Sequence, residues 1–404
     1  MSNIKILIVT PGFPSQAVNN ISAVFVLTEA KSYAINGADV TVVTPHYYPA
    51  PINEVFDKNI KVKRFRYFWP VKYECLVDPM QPIYRKKRVL AYIQIPFFIV
   101  SFIINVLKHS KKADIIHCQW TTSVLFALPA KWIFKKKIVV TARGSDIRLM
   151  PKWLNRLIHK HVNAAIDCYG PQQWNEKYKE NFPSNFIKLP LITIKKEIDI
   201  MPKDMAILVK REIKPYIIIY LGRFNKTKLE IHGLPIFTLI ESAAKLKKEG
   251  RNVQIFYIGS GDEEIICKMK ELIEEYSVSD IVHLLGSKNN VMDYIPFCDL
   301  GIGGTAFDAV SQEFSFNKKI QILVFGRYNE YTPWKDRKNA IFFHDNSVES
   351  LTESILFAMR KDDEIEHIRN DAYKLINKFV VGPEEGGRLY LKAFSELLKE
   401  NIKL

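Results

Sequence analysis

The sequence predicts an α/β protein of two domains, each built around a mostly parallel sheet. In both halves, apolar runs typical of strands alternate with amphipathic helix patterns. With 404 residues, the chain is also longer than a domain with a single hydrophobic core usually is. Two sheets of this kind, joined by a linker, would place the ends of their strands on either side of a cleft.

The boundary between the two domains is predicted where the alternation weakens. Between 182 and 202 the pattern is irregular and three prolines interrupt it. We expect a first domain at 1–195 and a second at 196–385. A last helix at 386–404 can pack back on the first domain.

The first half opens with a βαβ unit. A strand at 6–9 leads into a loop that contains Gly12, and a helix pattern at 23–36 stops at Gly37, a residue that commonly ends helices. A second strand follows at 40–43. Further strands are predicted at 60–64, 114–118, 138–141 and 165–169.

The second half repeats the alternation and closes with helices. Its predicted strands are at 217–221, 253–258, 281–284, 300–303, 320–324 and 340–343. Its closing helices are predicted at 348–359, 364–379 and 384–399.

Composition restricts the class of protein. With 48% hydrophobic and 25% charged residues, the chain is globular rather than disordered. The five cysteines are odd in number and have no CxxC spacing, so neither a disulfide framework nor a zinc site is predicted. The first residues pass directly into a strand without an export signal. We therefore expect a cytoplasmic protein.

The net charge of +15 predicts an anionic partner: nucleic acid, an acidic lipid surface or a phosphorylated substrate. A solvated basic surface is the simpler alternative. The basic residues look dispersed and lack helix-turn-helix or zinc-finger spacing, so we expect no nucleic-acid partner.

One apolar segment raises the question of a membrane. Residues 89–107 just reach the span of a bilayer, but they include Gln94 and Asn105, and basic residues flank both ends. We expect a buried helix of the first domain rather than a span. Its basic flanks can touch anionic lipid, which would make the protein peripheral at the inner face of the membrane.

The strand ends in the second half predict a phosphate pocket. The strand at 217–221 ends on Gly222-Arg223, and the strand at 253–258 ends on Gly259, Ser260 and Gly261. Ligands of parallel sheets bind at the carboxyl ends of the strands, and helix N-termini there attract phosphate. Small residues also occur at such turns in any α/β fold, so the glycines alone indicate little.

Taken in order, the motifs of the chain resemble those of the family 4 glycosyltransferases over nearly the whole length. That family has the GT-B fold, two Rossmann-like domains facing each other across a cleft. The similar segments are 6–10 with Phe13-Pro14, 25–26, 36–43, 114–117 with Trp120, 139–147, Gly222-Arg223 with Lys228, 258–262 and Gly286.

The resemblance implies transfer of a sugar from a nucleotide-sugar donor, with retained anomeric configuration and without a metal or other cofactor. Arg223 and Lys228 would act in catalysis by holding the diphosphate, whose negative charge grows as the glycosidic bond breaks. Gly222, Gly259, Ser260 and Gly261 would bind the donor. Lys226 and His232 remain alternatives to Lys228, because the loop looks longer than in the family.

The glutamate pair of the family is where this sequence departs. Glu313 fits the second position, which contacts the ribose hydroxyls of the donor, whereas Thr305 stands at the first. Threonine can still hydrogen-bond the donor, and Asp308 lies one turn away. Either the donor is held differently, or the site binds without catalysing.

Four further positions are assigned in the first domain. Arg143 stands where relatives carry a histidine and would hold a donor phosphate or an acceptor anion as a third catalytic group. Asp146 is assigned to the acceptor side, with helix capping as the alternative. His117 is also assigned there, with a core histidine as the alternative. Gly12 would let the backbone approach the donor.

These assignments predict a metal-independent hexosyltransferase of cell-surface polysaccharide synthesis. Its partners would be a nucleotide-sugar donor, a glycan or lipid-linked acceptor and an anionic membrane surface. The alternatives are a non-catalytic GT-B partner protein and a UDP-sugar epimerase of the same fold.

Overall fold

The computed structural model describes residues 4–18, 23–77, 88–143, 151–167, 186–194, 198–209, 214–231, 233–288, 291–304, 307–325, 332–344 and 347–399. The chain forms two compact units. The first unit is Met1–Thr193 with Val381–Leu404, and the second unit is Ile194–Val380. The crossing at 193–194 falls in the segment expected to be the linker, and the chain returns at 380–381.

An eight-stranded sheet forms the centre of the first unit, in the order β3-β4-β2-β1-β5-β6-β7-β8. All neighbours are parallel except β3 and β4. The strands are β1 Lys5–Val9, β2 Asp39–Pro45, β3 Asn53–Asp57, β4 Ile60–Phe65, β5 Ile115–Gln119, β6 Lys137–Thr141, β7 Ala164–Asp167 and β8 Phe186–Lys188. A short strand β9, Leu191–Ile192, follows.

Helices cover this sheet because their apolar faces need burial. They are α1 Val24–Ile35, α2 Arg88–Ser110, α3 Ser123–Phe134, α4 Lys152–His161 and, from the end of the chain, α11 Pro383–Lys399. A short 3₁₀ turn lies at Val71–Tyr73. The core includes the stacked rings of Phe102 in α2 and Phe126 in α3, whose centroids are 4.3 Å apart.

Helix α11 packs closely on α1. A Cβ atom at Gly387 would overlap the carbonyl oxygen of Ser32, so only glycine permits this approach. The Ser32 hydroxyl donates a hydrogen bond to the Pro383 carbonyl over 2.6 Å, and the Asn36 amide donates to the Glu384 carbonyl over 3.0 Å. The end of the chain is therefore part of the first unit.

A six-stranded, wholly parallel sheet forms the centre of the second unit, in the order β12-β11-β10-β13-β14-β15. The strands are β10 Tyr216–Leu221, β11 Val253–Ile258, β12 Val282–Gly286, β13 Leu300–Ile302, β14 Ile320–Val324 and β15 Ile341–Phe343, followed by the short β16 Val380–Val381. The helices are α5 Lys203–Ala206, α6 Thr238–Lys248, α7 Glu263–Glu275, α8 Ala309–Phe316, α9 Val348–Ala358 and α10 Asp363–Ile376.

The structure adds four strands that the sequence pattern does not predict: β3, β8, β9 and β16. Strand β8 lies in the segment interpreted as linker, because Phe186–Lys188 pairs with β7 and extends the first sheet. At the opposite edge of the first sheet, β3 pairs with β4 in an antiparallel hairpin. The alternating α/β order predicted for both halves is confirmed.

Helix α2 corrects the expectation of a buried helix. Among the described residues, Val89–Ser110 is the one helix long and apolar enough to cross a membrane, and 22% of its most apolar stretch is buried. Ala91, Gln94, Phe102 and Val106 face the core, whereas the opposite face is exposed. The expectation is right for one face of the helix and wrong for the other.

Candidate functional site

The candidate donor site of the second unit is built where β10, β11 and β13 end side by side. Backbone hydrogen bonds tie the loops together: Gly222 donates to Ile258 over 3.1 Å, and Phe224 donates to Ser260 over 3.0 Å. Asp262 in turn donates to the Phe224 carbonyl over 2.7 Å. The two loops after β10 and β11 thus form one continuous backbone surface.

Glycine is required for this close approach. Gly259 has a φ of 155°, and a Cβ atom there would overlap the Gly222 carbonyl oxygen. A Cβ at Gly261 would likewise overlap the Phe224 carbonyl oxygen. The glycines predicted to bind the donor therefore have a structural reason to be glycine, and their exposed backbone remains open to a ligand.

Arg223 follows Gly222 in the loop after β10 and is exposed. Among the described residues, its guanidinium has no hydrogen-bond or ion-pair partner. An arginine that no carboxylate neutralises keeps its full charge and both prongs of its fork for an anion. Arg223 is thus a cation that an anion can reach at this edge of the sheet.

The two candidate lysines point to different neighbours. Lys228 lies in a single π-helical turn, Thr227–Ile231, and its ammonium is 3.9 Å from an oxygen of Asp308. Lys226 is exposed and lies 3.3 Å from Glu264 in α7. Of the two, only Lys228 is placed beside the loop that follows β13.

The helices that begin at this edge differ in their charge. Helix α7 carries Glu263 and Glu264 in its first turn, and these carboxylates already complement its positive end and repel phosphate. Helix α8 has no acidic residue in its first turn, and Asp308 caps it by accepting from the Ser311 amide over 3.0 Å. Phosphate is therefore favoured near Arg223 and Lys228 rather than at the start of α7.

Glu313 lies in α8 and is half-buried. Burial of its carboxyl group raises the pKa to about 7, and the neighbouring Asp308 carboxylate adds to the rise. At neutral pH in the empty site this carboxyl group is therefore poised between its two protonation states. Hydrogen bonds from a ligand that favour the charged form would lower the pKa.

In the first unit, Arg143 follows β6 and is buried in an ion pair with Glu29 of α1. Its Nη2 atom lies 2.5 Å from Glu29 Oε1 and 2.5 Å from Gln119 Oε1. The guanidinium also lies over the ring of Phe25, 4.4 Å from the centroid. The charge that the sequence assigns to a phosphate or acceptor anion is thus already paired inside the unit.

Trp120 shapes the same edge. It follows β5 with a φ of 65°, a left-handed conformation that is rare for a large residue. Its ring makes an edge contact with Phe25 at 5.5 Å. Strain of this kind persists only where the surroundings impose it, and it is common at functional sites.

His117 lies in the interior of β5. Its ring nitrogens contact the Thr141 hydroxyl at 2.8 Å and the Tyr33 hydroxyl at 3.3 Å, and the Phe394 ring packs at 5.4 Å. Burial lowers its pKa to about 4, while Glu29 opposes the shift. These contacts are those of the alternative reading, a neutral core histidine.

The remaining predicted positions are less informative. Gly12 lies in the loop after β1, where its carbonyl accepts from the Thr10 hydroxyl over 2.8 Å. Asp146, Thr305 and His232 lie outside the described residues. Their roles stay predictions.

Sequence reasoning missed Glu29, which decides what Arg143 can do. A glutamate one helical turn after Phe25 in α1 is the available signal, since an acidic residue on a buried helix face needs a cation. For Asp308 the sequence suggests only a substitute for the missing glutamate. The structure makes it both the cap of α8 and the neighbour of Lys228.

No family model matches the sequence, and no curated protein matches it either. Solved structures do. Sucrose-phosphate synthase from Thermosynechococcus elongatus is 15% identical, with a TM-score of 0.71 over 98% of this chain and 100% of that one. Anabaena HepE in complex with UDP is 12% identical, with a TM-score of 0.65 over 97% and 100%.

A glycosyltransferase from Rickettsia africae ESF-5 is 15% identical, with a TM-score of 0.66 over 99% of this chain and 100% of that one. Likeness over the whole length confirms the predicted fold, α/β with the two Rossmann-like domains of the GT-B type. Membership of family 4 itself stays a prediction. The chain has the fold of nucleotide-sugar glycosyltransferases.

Proposed function

We propose that this protein is a retaining, metal-independent glycosyltransferase. It moves a hexosyl group from a nucleoside-diphosphate sugar to a glycan or lipid-linked acceptor in cell-surface polysaccharide synthesis. The observation that carries the proposal is Arg223, an exposed arginine without a partner among the described residues, at the glycine-lined strand ends of the second unit. A solved relative in fold, Anabaena HepE, was crystallised with UDP-glucose.

The chemistry follows from the charge of the leaving group. As the bond from the sugar to the diphosphate breaks, negative charge builds on the diphosphate oxygens. Arg223 can donate two parallel hydrogen bonds to these oxygens. Because this charge is greater in the transition state than in the bound donor, the interaction lowers the barrier and not only the dissociation constant.

Lys228 supplies a second positive charge. Its 3.9 Å separation from Asp308 is longer than a hydrogen bond, so the ion pair is loose and partly exposed. A diphosphate with two negative charges competes well against one carboxylate at that distance. Together the two cations do what a divalent metal does in other transferases, which supports metal independence.

Glu313 would accept hydrogen bonds from the two ribose hydroxyls of the donor. A carboxylate accepts better than a carboxylic acid, and the raised pKa of Glu313, about 7, means that an empty site holds both forms near neutral pH. Donor binding is then expected to select the carboxylate form. Molecules in which Glu313 is protonated would therefore release a proton when the donor binds.

Calorimetry of donor binding tests the assignment of Arg223. UDP, GDP and UDP-glucose are titrated into wild-type protein, Arg223→Ala and Arg251→Ala. We expect one nucleotide to bind the wild type and Arg223→Ala to bind it at least about tenfold more weakly, the usual loss of a charge-assisted hydrogen bond. Arg251→Ala is the matched control, because Arg251 is an exposed arginine of the same unit that lies before β11, at the other end of the strand from the candidate site.

Transfer assays separate the proposal from its alternatives. The protein is incubated with the bound nucleotide-sugar and lipid-linked or glycan acceptors, and NMR reads the anomeric configuration of the product. Nucleotide binding without any transfer would favour a non-catalytic GT-B protein. Conversion of the donor without an acceptor would favour an epimerase, and equal nucleotide affinity of the wild type and Arg223→Ala would remove the central assignment.

A further inference from the structure

The positive charge of this protein is concentrated in one part of the chain. Residues 79–166 contain sixteen lysines and arginines but only two acidic residues, Asp114 and Asp146. This excess of fourteen charges is nearly the whole net charge of +15. The basic residues are therefore clustered along the chain, and the expectation that they are dispersed is wrong. The segment includes helices α2, α3 and α4.

The outer face of α2 is apolar and exposed along its length. The residues recur at helical spacing, so they form one stripe, and each is more than half exposed: Val89, Tyr92, Ile93, Phe97, Val100 and Ile104. Exposed lysines Lys108, Lys111 and Lys112 continue the stripe at its C-terminal end. A soluble surface rarely carries so long an apolar stripe without a partner for it.

The neighbouring helices extend this surface. Helix α3 exposes Trp132 and Ile133, and helix α4 exposes Trp153 and Leu157. The Lys131 ammonium of α3 donates to the His161 carbonyl of α4 over 2.5 Å, which fixes these two helices side by side. On α4, the exposed Arg156 and Lys160 lie on the same face as the two apolar residues.

Helix α2 is anchored in the first unit by its inner face. Gln94 is buried, accepting from the Cys75 amide over 3.2 Å and donating to the Tyr73 carbonyl over 2.8 Å. Phe102 packs between Phe65, at 4.7 Å, and Phe126. A membrane span would have to break all these contacts, whereas lying on a surface breaks none.

We propose that the exposed layer of α2, α3 and α4 docks on an anionic phospholipid bilayer, with α2 lying in the plane of the headgroups. Aromatic and aliphatic side chains would enter the acyl boundary, while the lysines and arginines bind the lipid phosphates. This deepens the expectation from the sequence that an anionic membrane surface is a partner, and it does not depend on sugar transfer.

Lipid fits the layer better than other anions. Nucleic acid uses the basic residues but gives no burial to an aliphatic stripe. An acidic protein partner would need an apolar groove as long as α2. A bilayer supplies both an apolar region and a continuous negative surface.

Flotation with vesicles tests the docking surface in the whole protein. Vesicles of phosphatidylcholine, with or without phosphatidylglycerol, are mixed with wild type, Phe97→Ser/Val100→Ser and Lys108→Gln/Lys111→Gln/Lys112→Gln. We expect the wild type to bind only the anionic vesicles, and each variant to bind them at least about tenfold more weakly. Raising the salt to about 1 M should release the wild type.

The controls are equal changes on the second unit. Ile200→Ser/Ile207→Ser removes two exposed apolar residues, and Lys248→Gln/Lys270→Gln/Lys378→Gln removes three exposed lysines. Both should bind vesicles like the wild type. Quenching of wild-type tryptophan fluorescence by brominated acyl chains gives a second measure that needs no variant, with Trp132 and Trp153 in reach of the chains.

Several results would overturn the proposal. They are a wild type that stays in solution with anionic vesicles, no quenching by brominated lipid, and undiminished vesicle binding by Phe97→Ser/Val100→Ser. Tight binding of single-stranded RNA that depends on the lysines alone would make this a nucleic-acid surface. Nucleotide affinity, measured by calorimetry, should be the same in all these variants, so a failure of docking is distinct from a failure of the donor site.

Discussion

The carboxyl ends of the two sheets present their charged groups in opposite ways. In the first unit, Arg143 is buried and paired with Glu29. In the second unit, Arg223 is exposed without a partner among the described residues, and Lys228 is held loosely by Asp308. Each arginine is the second residue after the end of an interior strand, β6 for Arg143 and β10 for Arg223.

The difference shows that a position after a strand does not make a cation available to a ligand. What matters is whether the surrounding chain already neutralises it. Arg143 belongs to a closed network that stabilises the first unit, whereas Arg223 keeps its hydrogen-bonding capacity for an anion. Of the two arginines, Arg223 is therefore the one that an anion can reach.

The largest expected effect comes from breaking the closed network. Arg143→Met leaves Glu29 buried without its cation, and such a loss costs about 3–5 kcal/mol of the free energy of unfolding. Arg223→Met removes an exposed, unpaired charge and should change stability by less than about 0.5 kcal/mol. Urea unfolding followed by tryptophan fluorescence compares the two variants.

The double variant Glu29→Leu/Arg143→Met is the control for this prediction. Removing both charges leaves no orphan, so most of the lost stability should return. If Arg143→Met is as stable as the wild type, the guanidinium is free for a ligand and the contrast between the two units disappears.

Much of this fold is predictable because it rests on local pattern. The apolar runs that become β1, β10 and β11 are short, continuous and end on turn residues, so parallel strands follow from their spacing. The sequence predicts the strand ends at Gly222 and Gly259 at the same edge of the sheet for the same reason. The backbone hydrogen bonds that join the loops after β10 and β11 add detail to that prediction without changing it.

The parts that escaped prediction depend on contacts distant in sequence. The partner of Arg143 is Glu29, 114 residues earlier, and no local pattern links them. Strand β8 is three residues long and forms only because β7 offers an open edge. The composition of α2 shows its apolarity but not which face the sheet covers.

The next effect concerns the open site of the second unit. Because the pKa of Glu313 is raised to about 7 in the folded state, its charged form is disfavoured there. Below the unfolded pKa of about 4.3, ionisation of Glu313 takes nothing from the free energy of unfolding. This free energy falls as the pH rises from there through about 7. We expect Glu313→Gln to be more stable than the wild type at pH 8, by up to about 3 kcal/mol, and equally stable near pH 4.

Hydrogen exchange of peptides from the second unit, read by mass spectrometry at both pH values, measures this difference. Glu353→Gln, a change in the same unit on helix α9, is the control and should show no such dependence on pH. A Glu313→Gln variant that gains nothing at pH 8 would mean that the pKa of Glu313 is not raised in the folded protein. Donor binding would then not be expected to release a proton from Glu313.

The smallest effect has the opposite sign and lies in the closed network. Burial lowers the pKa of His117 to about 4, so the folded first unit binds this proton less readily than the unfolded chain does. Stability is therefore complete above the unfolded pKa of about 6.5 and is lost as the pH falls towards 4. Between pH 7.5 and 5.5 the wild type should lose about 1 kcal/mol more than His117→Gln, which keeps a side chain that can bond Thr141.

Urea unfolding followed by tryptophan fluorescence measures this difference in stability, with His367→Gln in the second unit as control. An equal loss in wild type and His117→Gln would mean that this histidine titrates in the folded protein, and the acceptor-side role would then be preferred to the core role.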